Sequence, residues 1–280
     1  MPELPEVHTT VQGLQILVNK EITNLKIYST KLRYIVPNKL SNISKNIEIL
    51  KIYRIGKYII LNLSSGYSII LHLGMSGRLR IINISAFKKQ KHDHLVISFK
   101  NKTLVFNDTR KFGFIDYILS DSLLKTKYFK LLGVDALDKK LNVKYLQQKI
   151  LKSVVPIKQI LLNQKIISGI GNIYASEILF DAKISPFKKG CDLNTNELSL
   201  LISSIKKILK KAIGFGGSSL RDYISVEGTL GNFQNKFKVY NKEGQTVSGY
   251  KIHRINQYGR STFYCPKIQL LLKKNYKSKH

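Results

Sequence analysis

The apolar pattern changes period once along this chain, and that change most constrains what the chain can fold into. From about residue 22 to 120 the apolar residues come in short alternating or continuous runs, such as Tyr58-Ile59-Ile60-Leu61-Asn62-Leu63 and Tyr67-Ser68-Ile69-Ile70-Leu71-His72-Leu73. Ser64-Ser65-Gly66 separates those two and predicts a hairpin. His94 to Phe99 and Thr103 to Phe106, joined by Lys100-Asn101-Lys102, predict a second. Beyond about residue 121 helical periodicity takes over, in 142–152, 156–163, 173–181 and 195–213. Val7, Val11, Leu14 and Val18 add a leading amphipathic helix, so the fold class is α+β and multidomain: a helix plus β-sandwich, then a helical domain. The connecting stretch 121–140 holds Gly133 and several charges. Residues 214–230 form a Gly/Ser-rich loop, strand-like runs return at Lys236 to Tyr240 and Ser261 to Cys265, and a Lys-rich tail begins at 271.

Charge narrows the partner. The 280 residues carry 47 basic and 17 acidic side chains, a formal +30, and such a field attracts polyanions, nucleic acid first. Because 39 of the 47 basic residues are lysine beside abundant Ile and Asn, the coding bias of an AT-rich genome also accounts for part of the excess. Membrane surfaces and acidic proteins therefore stay open as partners. No apolar run reaches the 18 or so residues of a membrane span, and Glu3 and Glu6 stand where a secretory signal carries lysines. With only Cys191 and Cys265, a disulfide framework is not expected. A soluble, cytoplasmic protein follows as the expectation.

Two segments carry chemistry. The chain opens Met1-Pro2-Glu3-Leu4-Pro5-Glu6-Val7; removal of Met1 would expose a proline secondary amine beside a carboxylate. An α-amino group titrates near neutrality, at about 7.7 to 8.0, and a secondary amine attacking a carbonyl-level carbon forms an iminium. The plainer reading is a helix start, with Glu3 and Glu6 complementing the dipole. In Ser168-Gly169-Ile170-Gly171-Asn172-Ile173-Tyr174 a glycine turn precedes a helix, whose outward-facing amides with Asn172 suit either a phosphate or an ordinary cap.

These segments, with Leu71-His72-Leu73-Gly74-Met75-Ser76-Gly77, Asn107-Asp108-Thr109-Arg110-Lys111-Phe112-Gly113 and Gly259-Arg260-Ser261-Thr262-Phe263-Tyr264-Cys265, resemble formamidopyrimidine-DNA glycosylases in order and spacing over residues 2 to about 266. The resemblance implies a catalytic β-sandwich domain at 1–125, a helix-two-turn-helix DNA-binding domain at 126–232 and a β-hairpin finger at 233–268, followed by the basic tail 269–280. It implies a bifunctional glycosylase and AP lyase of base-excision repair, acting as a monomer at the nucleoid. Its partner is double-stranded DNA containing oxidised bases or abasic sites, from which it excises 8-oxoguanine and formamidopyrimidines.

By the same resemblance, Pro2 is the covalent nucleophile, Glu3 the proton donor, and Lys57 and Arg260 complete the catalytic set. His72, Asn172 and Arg260 match phosphate contacts, with His92 a further DNA-contacting position. Met75, Arg110 and Phe112 match the residues that fill the hole left by a flipped nucleotide, with Arg110 facing the orphaned base. Gly216-Gly217-Ser218-Ser219-Leu220-Arg221-Asp222-Tyr223 resembles the loop that closes over the flipped base. That loop and the hole-filling set point to the purine branch; an endonuclease VIII-like specificity and a non-catalytic damage binder are the alternatives.

The chain departs from the family at the finger. The family's four zinc-binding cysteines, in two C-x-x-C pairs, match Val247, Tyr250, Cys265 and Ile268 here; only Cys265 is retained, and one thiolate cannot hold a tetrahedral site. No zinc or other cofactor is expected. Packing of Phe237, Val239, Phe263 and Tyr264 would then have to hold the zincless hairpin.

Overall fold

Leu4, Val7, Val11 and Leu14 repeat at helical spacing and form the buried stripe of α1 (Leu4–Leu14), so a computed structural model of the chain begins with a helix bearing one apolar face. The structure describes residues 2–43, 46–219, 226 and 230–270. The turn after the helix leads into β1 (Glu21–Ile22) and β2 (Asn24–Ile27), followed by β3 (Ile47–Ile55), β4 (Tyr58–Leu63) and β5 (Tyr67–His72). Next come β6 (Gly77–Asn83), β7 (Asp93–Ser98), β8 (Lys102–Asp108) and β9 (Phe114–Leu119). They make two antiparallel sheets, in the orders β1-β3-β4-β5-β9 and β2-β7-β8-β6.

Strands β4 and β5 are nearly all apolar because both of their faces are covered. Ile59, Leu61, Ile69 and Leu71 join the main core with Leu95, Ile97, Leu104 and Phe106 of the other sheet and Val7, Val11 and Leu14 of α1. On the opposite face Ile60 and Ile70 pack with Phe114, Leu123 and Phe129. Alternation therefore sorts apolar residues between two cores instead of between core and water.

The chain divides into two compact units, residues 1–132 with 210–236 and residues 133–209 with 237–280. The second holds the parallel pair β10 (Val134–Asp135) and β11 (Ile167–Ser168), and helices α2 (Val143–Ile150), α3 (Ile157–Leu162) and α4 (Asn172–Asp181). Helix α5 (Thr195–Gly214) starts with reciprocal capping: the Glu197 N–H donates to Asn194 Oδ1 at 2.9 Å, and the Asn194 N–H to Glu197 Oε2 at 3.0 Å. Two short antiparallel hairpins follow, β12 (Thr246–Val247) with β13 (Tyr250–Lys251), and β14 (His253–Gln257) with β15 (Arg260–Tyr264).

One expected strand is absent. Lys236 closes a 3-10 turn (Phe233–Lys236) and 237–240 is irregular chain, because the N–H groups of Lys238, Val239 and Tyr240 donate to the Glu177 carboxylate at 2.8 to 2.9 Å instead of to a neighbouring strand. The tail from 271 and residues 220–223 of the expected closing loop lie outside the described residues.

Candidate active site

In the first unit the sequence motifs fall at strand ends and at the start of α1. Pro2 is buried immediately before the helix, and Glu3, 2% exposed, is its N-cap. The Glu3 N–H donates to Glu6 Oε2 at 2.9 Å, closing a capping box. The other oxygen of Glu6 accepts the Ser218 N–H at 2.8 Å and the Ser218 hydroxyl at 3.0 Å. Between them Gly217 sits at φ +79°, where an added Cβ would lie 3.0 Å from the Glu6 carboxylate. Glu6, which the sequence offered only as a dipole partner, thus ties the first residues to the Gly216–Ser219 segment.

Lys57 occupies the tight turn between β3 and β4, entered through Gly56 at φ +56°, and is itself buried. Arg54 Nη1 donates to the Gly56 carbonyl at 2.7 Å and braces that turn. In register across β4, β5 and β9, Tyr58 pairs with His72 and His72 with Phe114, so the Lys57 turn and His72 occupy the same end of the sheet. The His72 ring stacks on Phe114, centroids 5.4 Å apart at 9°. Burial, with the nearby charges of Lys57 and Arg33, pushes its imidazole down to about 4. Nδ1 accepts the Gly74 N–H at 3.0 Å, so the neutral ring carries its proton on Nε2. The resulting group is an uncharged donor at neutral pH.

Met75 and Phe112 are 41% and 43% exposed, unusual for such side chains, and the Arg110 guanidinium stacks on the Phe112 ring at 4.7 Å. Their loops touch at Gly74: at φ +60°, its missing Cβ would fall 2.3 Å from the Phe112 carbonyl carbon. The organiser is Asp108, fully buried, which sequence reasoning passed over. Its carboxylate accepts the Ser76 hydroxyl at 2.6 Å, the Arg110 N–H at 3.2 Å and the Gly113 N–H at 2.7 Å. His92 lies beside this loop, its carbonyl accepting the Asp108 N–H at 3.0 Å.

In the second unit Asn172 is the first residue of α4 and its Nδ2 donates to the Ser261 carbonyl at 3.0 Å. That contact places it beside Arg260, which is exposed at the start of β15. In the glycine turn before α4, Gly169, Ile170 and Gly171 are buried. Gln164 braces it, accepting the Gly169 N–H at 2.9 Å and donating to the Ile170 carbonyl at 2.8 Å. Sequence reasoning also missed Lys158. Fully buried on α3, it donates to the Ser261 carbonyl at 2.9 Å and to Thr262 Oγ1 at 2.7 Å, fixing the strand that bears Arg260.

The finger positions do not fit a zinc ion. Val247 pairs with Tyr250 across β12 and β13, Cys265 is fully buried, and the Ile268 N–H donates to the Cys265 carbonyl at 3.1 Å. Among the described residues no group of three or more His, Cys, Asp or Glu side chains could hold a metal. Nor is any helix among them long and apolar enough to cross a membrane.

A two-sheet unit behind an N-terminal helix, with a helical unit carrying a β-hairpin, defines the class of helix-two-turn-helix DNA glycosylases. Residues 1–115 match the formamidopyrimidine-DNA glycosylase N-terminal domain, and residues 132–224 the formamidopyrimidine-DNA glycosylase H2TH domain. A formamidopyrimidine-DNA glycosylase of Zymomonas mobilis is 44% identical over 272 residues, covering 96% of this chain and all of the relative. Two solved structures of the Lactococcus lactis Fpg, each 35% identical, cover 96% of this chain and all of theirs. A point mutant of that protein with Fapy-dG-containing DNA superposes with a TM-score of 0.89, and the wild type with oxidised-pyrimidine-containing DNA with one of 0.87. The chain belongs to the formamidopyrimidine-DNA glycosylase family.

Proposed function

We propose that this chain is a bifunctional DNA glycosylase and AP lyase of base-excision repair, excising oxidised purines from duplex DNA. The observation that carries the reading is the buried Pro2-Glu3 start, held through Glu6 to the Gly216–Ser219 segment: one carboxylate holds both the Glu3 N–H next to the nucleophile and the root of the expected closing loop. An enzyme attacking C1′ must take its nucleotide out of the stack, at an unstacking cost of a few kcal/mol. Met75 and Phe112 are the exposed apolar side chains available to occupy the hole, and Arg110 to face the orphaned base.

With Met1 removed, the Pro2 nitrogen attacks C1′ and the base departs with the electrons of the C1′–N bond, taking up a proton as the Pro2 nitrogen gives up its own. Glu3 protonates the ring oxygen, the C1′–O bond breaks, and an iminium links C1′ to Pro2. The positive nitrogen acidifies the C2′ proton; its loss expels the 3′ phosphate, and a second elimination expels the 5′ phosphate, leaving a one-nucleotide gap with phosphate at both ends. In the first unit Lys57 and neutral His72 donate to DNA phosphate, and in the second unit Asn172 and Arg260 do the same. The hairpin performs its part without a metal, and the protein works in the cytoplasm at the nucleoid.

Borohydride trapping tests this reading. Protein mixed with duplex DNA holding 8-oxoguanine opposite C gives a covalent adduct, and Pro2→Gly reduces it sharply; processed protein that traps nothing overturns the mechanism. Because the L. lactis relative has been solved with oxidised-pyrimidine DNA, the same assay on an oxidised thymine reads the breadth of the pocket. Faster excision of that base than of 8-oxoguanine assigns the pyrimidine specificity instead.

A further inference from the structure

We propose that Arg33 and Lys127, held against Tyr34 and Tyr128, form a second phosphate-binding ledge that grips the DNA backbone beyond the nucleotide being excised. The inference rests on the DNA-repair reading and adds to it a surface that none of the sequence motifs marks. Both cations are exposed. The Arg33 guanidinium lies 5.5 Å from the Tyr34 ring centre, and the Lys127 ammonium lies 4.8 Å from Tyr34 and 5.3 Å from Tyr128. Among the described residues neither cation is paired with a carboxylate. Aromatic faces orient a cation without neutralising it, so both charges remain available to an anion.

The ledge is continuous with the candidate site. Tyr128 stacks on Phe114 at 4.8 Å and 23°, Phe114 stacks on His72, and Tyr34 meets the edge of Phe114 at 5.2 Å. The Tyr128 hydroxyl donates to Asp116 Oδ2 at 2.8 Å, which occupies that carboxylate and pins the ring. The Arg33 N–H donates to the Gly113 carbonyl at 3.1 Å, linking the ledge to the loop that carries Arg110 and Phe112. Arg33 and Lys57 both act on His72, so three cationic groups border one aromatic stack. Like charges brought together on a rigid surface repel until a polyanion covers them, and a phosphodiester backbone running past His72 supplies its charges at regular intervals.

Each phosphate neutralised by a protein cation adds about −0.9 to the slope of log affinity against log salt. The test measures binding to duplex DNA holding a tetrahydrofuran abasic analogue for the parent, for Arg33→Gln/Lys127→Gln, and for Lys100→Gln/Lys102→Gln, a charge-matched control in the β7–β8 turn. The ledge variant is expected to lose about two units of slope, so that a fourfold rise in salt weakens it about tenfold less than the parent, while the control stays near the parent. A slope change no larger than the control's overturns the ledge. Trapping at low salt and saturating protein separates the two claims: the ledge variant should trap like the parent, showing intact folding and chemistry, whereas failure of the parent to trap defeats the glycosylase reading instead.

Discussion

Glu6 and Ser218 are joined twice, through the serine N–H at 2.8 Å and its hydroxyl at 3.0 Å, while the same carboxylate holds the Glu3 N–H. Buried donors left without an acceptor cost about 1–3 kcal/mol each. With the Ser218 hydroxyl free to turn elsewhere, the two stranded N–H groups make Glu6→Ala destabilise the first unit by about 2–6 kcal/mol and lower trapping yield, with Glu6→Gln milder because its amide oxygen still accepts. Denaturant unfolding and borohydride trapping on the same preparations check both effects. Unchanged trapping by Glu6→Ala would separate the loop root from the chemistry.

His72 gives the protein a defined pH response. Its folded pKa of about 4 lies below the ordinary histidine value of about 6.5, so between these limits the unfolded chain binds more protons. Stability contributed by the neutral ring is full above pH 6.5 and falls as the pH drops toward 4. Urea midpoints at pH 7 and pH 5 should differ more in the parent than in His72→Gln. The imidazole stays uncharged from pH 5 to 8, so DNA affinity over that range should show no inflection that His72→Gln removes.

How much of this was legible in the sequence depended on the distance between partners. Strands β4 and β5 and helices α1 to α5 read directly because their apolar periods are local. The elements that orient the candidate site did not. Glu6 meets Ser218 across 212 residues, Lys158 meets Thr262 across 104, and Glu177 meets Val239 across 62. No window of sequence contains both members of such a pair. The same cause produced the misread strand at Lys236 to Tyr240, whose alternating pattern was sound but whose N–H groups were claimed by a distant carboxylate. Asp108 was the exception, since its carboxylate reaches Arg110 and Gly113 within the quoted motif; an Asp two residues before a loop cation is an Asx-turn signal.

Asp108 makes opposing-base selectivity testable apart from chemistry. Asp108→Asn can still accept one or two of its hydrogen bonds but loses the charge that strengthens them, at a cost of about 1–3 kcal/mol. Released from Asp108, the Arg110 loop should no longer hold its guanidinium toward the orphaned base. Excision of 8-oxoguanine opposite C relative to A is expected to fall toward parity, while trapping on single-stranded abasic DNA, where no orphaned base exists, should change little. A preserved C-to-A ratio would show that Arg110 is positioned without this carboxylate.

The hairpin carrying Arg260 is held by polar anchors, and its response to chelator and to mutation follows from them. Lys158 donates to Ser261 and Thr262, Thr262 donates in turn to Gln257 at 3.0 Å, and Gln269 receives the Cys265 N–H at 2.9 Å. At the hairpin's root Glu177 accepts three N–H groups, although burial pushes its carboxyl pKa up. Val239, Ile252 and Phe263 supply a small apolar core. Excess chelator should leave both excision rate and melting temperature unchanged. Lys158→Met, which fills the same volume without donors, should cost about 1–3 kcal/mol and lower excision by releasing Arg260, with partial rescue by Lys158→Arg. Loss of activity on chelation, restored by added zinc, would overturn a metal-free hairpin; full activity in Lys158→Met would remove Lys158 from the positioning of Arg260.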